Sequence, residues 1–206
     1  MNRSLLASLA LAGILAGCDT APVQPAIPVP PITSEAVPAA VDAPPTLAVV
    51  GYTSPPKVTG RQRPSCLARA RGQLPDPACT PGSVGSTDVN TVCVPRFSAQ
   101  RRPSGYNTEP VKTAAMLAYR IPVADRKRTE LDHLVPLELG GSNDVSNLWP
   151  QISDLSLVDE HNSKDQVENR IKLAVCRDRK VTLVAAQEAL ARDWTAAEKF
   201  LGLSPA

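Results

Sequence analysis

The chain has 206 residues, with 22 Lys/Arg against 20 Asp/Glu, a formal net charge of +2 and only 3 % aromatic residues. That length excludes an array of full-sized domains and admits one domain with appendages, while the net charge by itself points to no class of partner. The distribution says more: residues 57–130 hold 13 Lys/Arg against 5 Asp/Glu, and residues 131–206 hold 8 against 12. A basic half beside an acidic half suits a polyanion-binding protein with a cation site, and suits a solvated face equally well.

The N-terminus reads as a targeting segment. Met1-Asn-Arg3 gives a positive start, Leu5 to Leu15 an apolar stretch too short to span a bilayer as a mature helix, and Leu15-Ala-Gly-Cys18 a small-residue processing site. These last four residues resemble the bacterial lipoprotein signal, in which the cysteine becomes the lipidated first residue of the mature protein. The resemblance implies a signal peptide over 1–17 and a lipid anchor on Cys18. It also implies an exported protein held on a bacterial membrane and facing the periplasm or the cell exterior. An ordinary secretory signal cut nearby is the other reading. Asp19 resembles an inner-membrane retention signal, but the choice of membrane stays open. From 18 to 56 the chain is rich in Pro, Ala and Val, with Pro-Pro pairs at 30–31, 44–45 and 55–56. Such composition favours extended polyproline II and reads as a semi-rigid tether.

The folded domain is expected over 57–206, with a core of Leu, Val, Ile and Ala for lack of aromatics. Cys66, Cys79, Cys93 and Cys176 are an even set in an exported protein, so two disulfides are expected, with three connectivities open. The favoured pairing is Cys66–Cys79 around the Pro75-Asp-Pro77 turn and Cys93–Cys176. A four-cysteine zinc site is the rival, disfavoured by the absence of any Cys-x-x-Cys knuckle. Between 66 and 110, Pro and Gly punctuation predicts loops and short elements, with Thr91-Val-Cys-Val94 as a strand. Residues 110–120 read as a short helix opening on Pro110 and closed by Ile121-Pro122. Arg126-Lys-Arg128 then leads into the segment that holds the chain's two histidines, His133 and His161.

Over 130–176 the pattern is strand, loop, strand, helix. Leu131, His133 and Val135 alternate with Asp132 and Leu134, and Gly140-Gly-Ser-Asn143 is a turn signal. Ser146-Asn-Leu-Trp-Pro150 gives a second strand stopped by proline. Ser163-Lys-Asp-Gln166 has capping-box spacing, with Val167, Ile171, Ala174 and Val175 on one helical face. From Val181 one or two more helices follow, with Leu183, Ala186, Leu190 and Trp194 on one face and a capping box at Thr195-Ala-Ala-Glu198.

Leu-Asp-His-Leu-Val-Pro-Leu-Glu-Leu-Gly-Gly-Ser-Asn (131–143), Asn-Leu-Trp-Pro-Gln (147–151) and Lys-Asp-x-x-Glu-Asn (164–169) together resemble an HNH endonuclease with its ββα-metal finger. Thr80-Pro-Gly82 and residues 186–194 are similar to exported relatives of that type, so the likeness spans most of 75–200. The fold it implies is α+β: a small disulfide-braced domain containing the finger, followed by C-terminal helices. The activity it implies is metal-dependent hydrolysis of phosphodiester bonds in DNA, with RNA also open, by a monomer with little sequence preference. The resemblance makes His133 the general base, Asn147 the residue that fixes the loop and orients His133, and Asp132 and His161 the ligands of one divalent cation. Mg²⁺ is expected, with Mn²⁺, Ni²⁺ or Zn²⁺ as alternatives, and Asn162 or Asp159 could replace His161 as the helix ligand. A hard cation takes carboxylate oxygen and leaves positions for phosphate and water, and an imidazole titrating near neutrality can take a proton from water. Asp132 and His133 are adjacent and therefore point to opposite strand faces unless the strand bends. Arg101, Arg102, Arg120 and Lys164 are the expected substrate contacts, Trp149 is expected in the core, and phosphate contacts carry no sequence information. The alternative is a non-catalytic envelope lipoprotein that keeps the same scaffold as a nucleic-acid or protein binding module.

Overall fold

Two short strands and a helix sit at the centre of the computed structural model, which describes residues 44–154 and 162–203. The expected signal peptide, Cys18, most of the tether, and the two candidate ligands Asp159 and His161 lie outside the described residues. The class is α+β with two disulfides, as expected. Four strands are β1 (Ala48–Val49), β2 (Ser83–Val84), β3 (Thr129–His133) and β4 (Leu148–Ile152); six helices are α1 (Val89–Val92), α2 (Phe97–Arg101), α3 (Gly105–Ala118), α4 (Ser163–Lys172), α5 (Leu183–Asp193) and α6 (Ala197–Phe200). Among the described residues no helix is long and apolar enough to cross a membrane.

Strands β3 and β4 pair antiparallel, with Asp132 opposite Trp149 and His133 opposite Leu148. Opposed residues share a face, so Glu130, Asp132, Trp149 and Gln151 look one way and Thr129, Leu131, His133 and Leu148 the other. Helix α4 packs on the first face, where Lys164 reaches Asp132 and Asn162 reaches Glu130. Helix α3 packs against the hairpin as well, and its residues meet Leu131, His133 and Leu148 on the second face. The connection between the strands is tight. Gly140 has φ +85°, and a Cβ there would lie 2.6 Å from the Ser86 carbonyl oxygen, while a Cβ on Gly141 would lie 1.7 Å from that of Val135. Only glycine fits either position.

The core is aliphatic, as the composition requires. Trp149, Leu134, Leu139, Ile171 and Leu190 are fully buried, and the expected apolar faces of α4 and α5 are the buried ones. Helix α4 runs on into a π-helical turn, Leu173–Arg177, that buries Ala174 and Val175. The favoured disulfides are both present: Cys66–Cys79 closes the loop around Pro75-Asp-Pro77, and Cys93–Cys176 ties the end of α1 to the π-helical turn.

Several local expectations differ from the fold. Residues 91–94 are no strand; Asp88 accepts hydrogen bonds from the Asn90 amide and the Thr91 hydroxyl, and this cap turns the segment into α1. Helix α3 starts five residues before Pro110, and the carbonyl that Pro110 cannot serve belongs to the exposed Tyr106, where water can reach it. The capping box of α4 begins at Asn162 with Asp165 as its partner, one residue earlier than the Ser163 spacing indicated. Thr195 does not cap α6; its hydroxyl bonds Asp193, and Glu198 takes Arg170 instead. The folded unit also begins before residue 57. Strand β1 pairs in parallel with β2, and Tyr52 packs edge-on against Phe97.

The two disulfides close loops of different length, with sequence separations of 83 and 13 residues. Loop-closure entropy then assigns about 4 kcal/mol to Cys93–Cys176 and about 3 kcal/mol to Cys66–Cys79. Urea unfolding of the two Cys→Ser double variants is expected to show the larger loss for Cys93/Cys176. The reverse order would show that local structure, not loop length, governs the bracing.

Candidate functional site

The end of β3 carries the site. Asp132 points toward α4, where its Oδ2 lies 2.8 Å from Lys164 Nζ. The same ammonium hydrogen-bonds Glu168 Oε1 and donates to the His133 carbonyl oxygen at 2.8 Å, while Asp132 is held by charge alone, its Oδ2 lying close but without a hydrogen bond of good geometry. The Lys164 side chain is 1 % exposed and its partners Asp132 and Glu168 are 14 % and 13 % exposed, so the triad sits in a low dielectric. Burial alone would lower the lysine's proton affinity, but the two carboxylates reverse that and hold Lys164 charged well above its ordinary value. Burial pushes the Glu168 carboxyl up, against the pull of Lys164, because two carboxylates share one ammonium. Lys164, expected from the sequence as a substrate contact, is instead fully buried and ties the first turn of α4 to the end of β3.

His133 points away from Asp132, as alternation requires, and its Nε2 lies 3.0 Å from Asn143 Oδ1. The amide of Asn143 has its Nδ2 on the Arg101 carbonyl at 2.8 Å, so the oxygen must be the end that faces the imidazole. An amide oxygen only accepts, so Nε2 carries the proton and Nδ1 keeps the lone pair. Burial lowers the His133 pKa from 6.5 to about 4, outweighing the hydrogen bond to Asn143 and the charge of Asp132. The ring is neutral at physiological pH and can accept a proton, but its low value makes it a weaker base than the near-neutral imidazole the sequence led one to expect.

Asn147 touches no part of the imidazole. It is fully buried, its Oδ1 accepts from the Val135 amide at 2.9 Å and its Nδ2 donates to the carbonyls of Val135 and Ser142 at 2.9 and 3.0 Å. Asn147 thus clamps the loop that carries Asn143, and acts on His133 through it. The expectation that Asn147 fixes the loop matches these contacts; Asn143 is the direct partner that the sequence reading left within a turn signal.

Among the expected basic contacts, Arg102 is exposed and lines the clefts beside His133. Arg101 instead stacks its guanidinium 4.9 Å from the centroid of Tyr52 and 5.7 Å from that of Phe97, bracing α2. Arg120 is exposed after the end of α3 and borders neither cleft. The larger cleft, about 400 Å³, is walled by the carboxylates of Glu130, Asp132, Glu138, Asp165 and Glu168, with Arg102 and His133 at its edge. Glu138 is paired with Lys172.

The chemistry of that wall fits a hard cation, and its summed potential would attract one. Among the described residues, however, no three His, Cys, Asp or Glu side chains gather closely enough to hold a metal ion. Asn162 is occupied at both ends: its Oδ1 caps Lys164 N at 2.9 Å and its Nδ2 faces Glu130 Oε2 at 3.4 Å. Asp132 is thus the one member of the expected ligand pair that the described residues place at the cleft.

Compared with known proteins, the chain matches no family model, no curated protein and no solved structure. The reading of the site therefore rests on its own geometry.

Removing the ammonium while leaving both carboxylates buried should be costly. Lys164→Met is expected to lose about 3–5 kcal/mol at neutral pH, read from urea unfolding, with part regained as pH falls and the carboxylates protonate. A near-neutral effect would show that the triad does not hold the site together. His133 makes a separate contribution: because its pKa is 6.5 when unfolded and about 4 when folded, the unfolded chain binds the proton first. Stability is complete above the unfolded value and declines as pH falls through that window. His133→Gln should flatten this part of the pH–stability profile relative to the parent; superimposable slopes would contradict the depressed pKa of the half-buried imidazole.

Proposed function

We propose that the protein is an exported, lipid-anchored endonuclease of the HNH type that hydrolyses phosphodiester bonds of DNA, and of RNA where strands are accessible. The observation that carries this reading is the pairing at the end of β3: a neutral His133 with Nδ1 free of its proton, beside an acidic cleft and the exposed Arg102. The strand–loop–strand–helix order around Asp132 and His133 supports the ββα-metal resemblance, as does a loop clamped by Asn147.

In this reading the chain's own groups divide the work. His133 accepts a proton from water at Nδ1, the water oxygen bonds phosphorus, and the ester P–O bond on the far side breaks, its oxygen leaving with a proton from solvent. Asn143 holds the tautomer that makes Nδ1 the basic atom. Arg102 neutralises phosphate charge at the cleft edge. A divalent cation, held by Asp132 and by a ligand from the start of α4 such as His161, would neutralise charge developing on the leaving oxygen. Lys164 and Glu168 keep the strand end and the helix in register. Two disulfides fit an oxidising compartment and so support export.

A second reading has an observation of its own: the Lys164 ammonium already pairs with Asp132, which suits a scaffold that binds nucleic acid without cutting it.

Plasmid cleavage by the disulfide-intact protein separates the two. With Mg²⁺, Mn²⁺, Ni²⁺ or Zn²⁺ supplied in turn, nicking is expected with at least one metal, to be abolished by EDTA and reduced at least about a hundredfold in His133→Ala. Asn143→Ala is expected to fall by about tenfold or more through loss of the tautomer. DNA binding without cleavage under every metal would leave the binding module as the function.

A further inference from the structure

A second cleft of about 290 Å³ meets the acidic one at β3, and the two share Arg102, Glu130, Leu131 and His133. Its character is different. Its lining is mixed: Val58, Pro103, Leu131 and Leu148 contribute apolar surface, and α3 contributes Gly105, Thr108, Glu109 and Lys112. These four positions fall at i, i+3, i+4 and i+7, one stripe of the helix. Glu109 pairs with Arg126, and the charged groups that also line the cleft are the cations Arg102 and Lys112 and the carboxylate of Glu130. The next residue after Gly105, Tyr106, is 90 % exposed.

Apolar side chains and polar groups interleaved with cations, directly beside the proposed proton acceptor, match the chemistry of one nucleoside: a flat base with polar edges and a charged phosphate. Its volume sits near the lower end of small-molecule pockets, roughly 300–1,000 Å³, which suits a single base and sugar and is too narrow for a base pair held within a duplex. A base seated there would place its phosphate toward Arg102 and His133, where the two clefts join. The exposed Tyr106 ring offers a stacking surface for a neighbouring base.

We propose that this second cleft is a nucleoside pocket that takes one unpaired base next to the scissile phosphate, and that it makes single-stranded nucleic acid the preferred substrate. The proposal rests on the nuclease reading for its meaning but not for its test. A duplex must release a base before it can fill the pocket, and a single strand need not.

Gly105 gives a direct probe, because it lines the cleft and a Cβ built there meets no atom within 4 Å, so a large side chain can be added at the cleft without displacing the backbone. Binding of fluorescein-labelled single-stranded DNA and of the same sequence as a blunt duplex is measured by anisotropy with the full-length, disulfide-intact chain in EDTA. The parent is expected to bind the single strand at least about tenfold more tightly, and Gly105→Phe to bring the single strand down to the duplex affinity. Equal affinities in the parent would overturn the proposal, and so would an undiminished preference in Gly105→Phe with unchanged thermal unfolding. If Gly105→Phe unfolds early, Lys112→Gln decides: it should reduce the salt dependence of single-strand binding by about 0.7 in log–log slope. An unchanged slope would remove Lys112 and the pocket together. Single-strand preference without cleavage under any metal would count against the nuclease reading alone, whereas cleavage without that preference would count against the pocket alone.

Discussion

The fold around the site depends on one buried ammonium. Lys164 is placed by the second position of α4, which is in turn started by Asn162, and it bonds the backbone of His133 and the carboxylates on either side. A two-stranded sheet is marginal alone, and five residues of pairing cannot hold a strand end against thermal fraying. The Lys164 triad supplies what the short sheet lacks, a charged anchor that is dry and that ties the strand's backbone and two carboxylates to the helix. Such a triad contributes less net stability than apolar packing of the same volume would. Its return is geometric: one register between helix and strand.

Around that anchor, polar side chains buried in the loop act as a frame. Asn147 and Gln187 are fully buried, and each joins backbone groups far apart in sequence; Gln187 donates to the carbonyls of Ser86 and Leu139. A loop of irregular backbone cannot satisfy its own amides and carbonyls, so these side chains stand in for the ladder it lacks. The consequence for the site is rigidity where the imidazole is oriented.

The sequence made much of this legible, for reasons that vary by residue. The hairpin, the helix after it and the apolar faces of α4 and α5 follow from periodicity, which reports burial directly. Two disulfides follow from the even count; of the three connectivities left open, the structure has the favoured one. The helix α1 was missed because a single Asp88 cap overrode the β-branched run Thr91–Val94, and the early start of α3 because Pro110 drew the boundary to itself. The fates of Lys164 and Arg101 were illegible for a different reason. A cation in sequence carries no sign of whether a carboxylate, an aromatic pair or solvent will meet it, and only tertiary packing brought Asp132 and Glu168 to one and Tyr52 and Phe97 to the other. Asn143 was visible as a turn residue; its role with His133 required the three-dimensional placement of the Arg101 carbonyl.

The Cys93–Cys176 bond joins the end of α1 to the π-helical turn that continues α4, the helix on which Lys164 stands. Oxidation thus reaches the site through the far end of the same helix. In a reducing compartment the unbridged chain would hold its fold, and with it the seat of Lys164, less firmly. The full brace forms only where the surroundings are oxidising, so the redox state around the chain sets how firmly helix and strand end are held together.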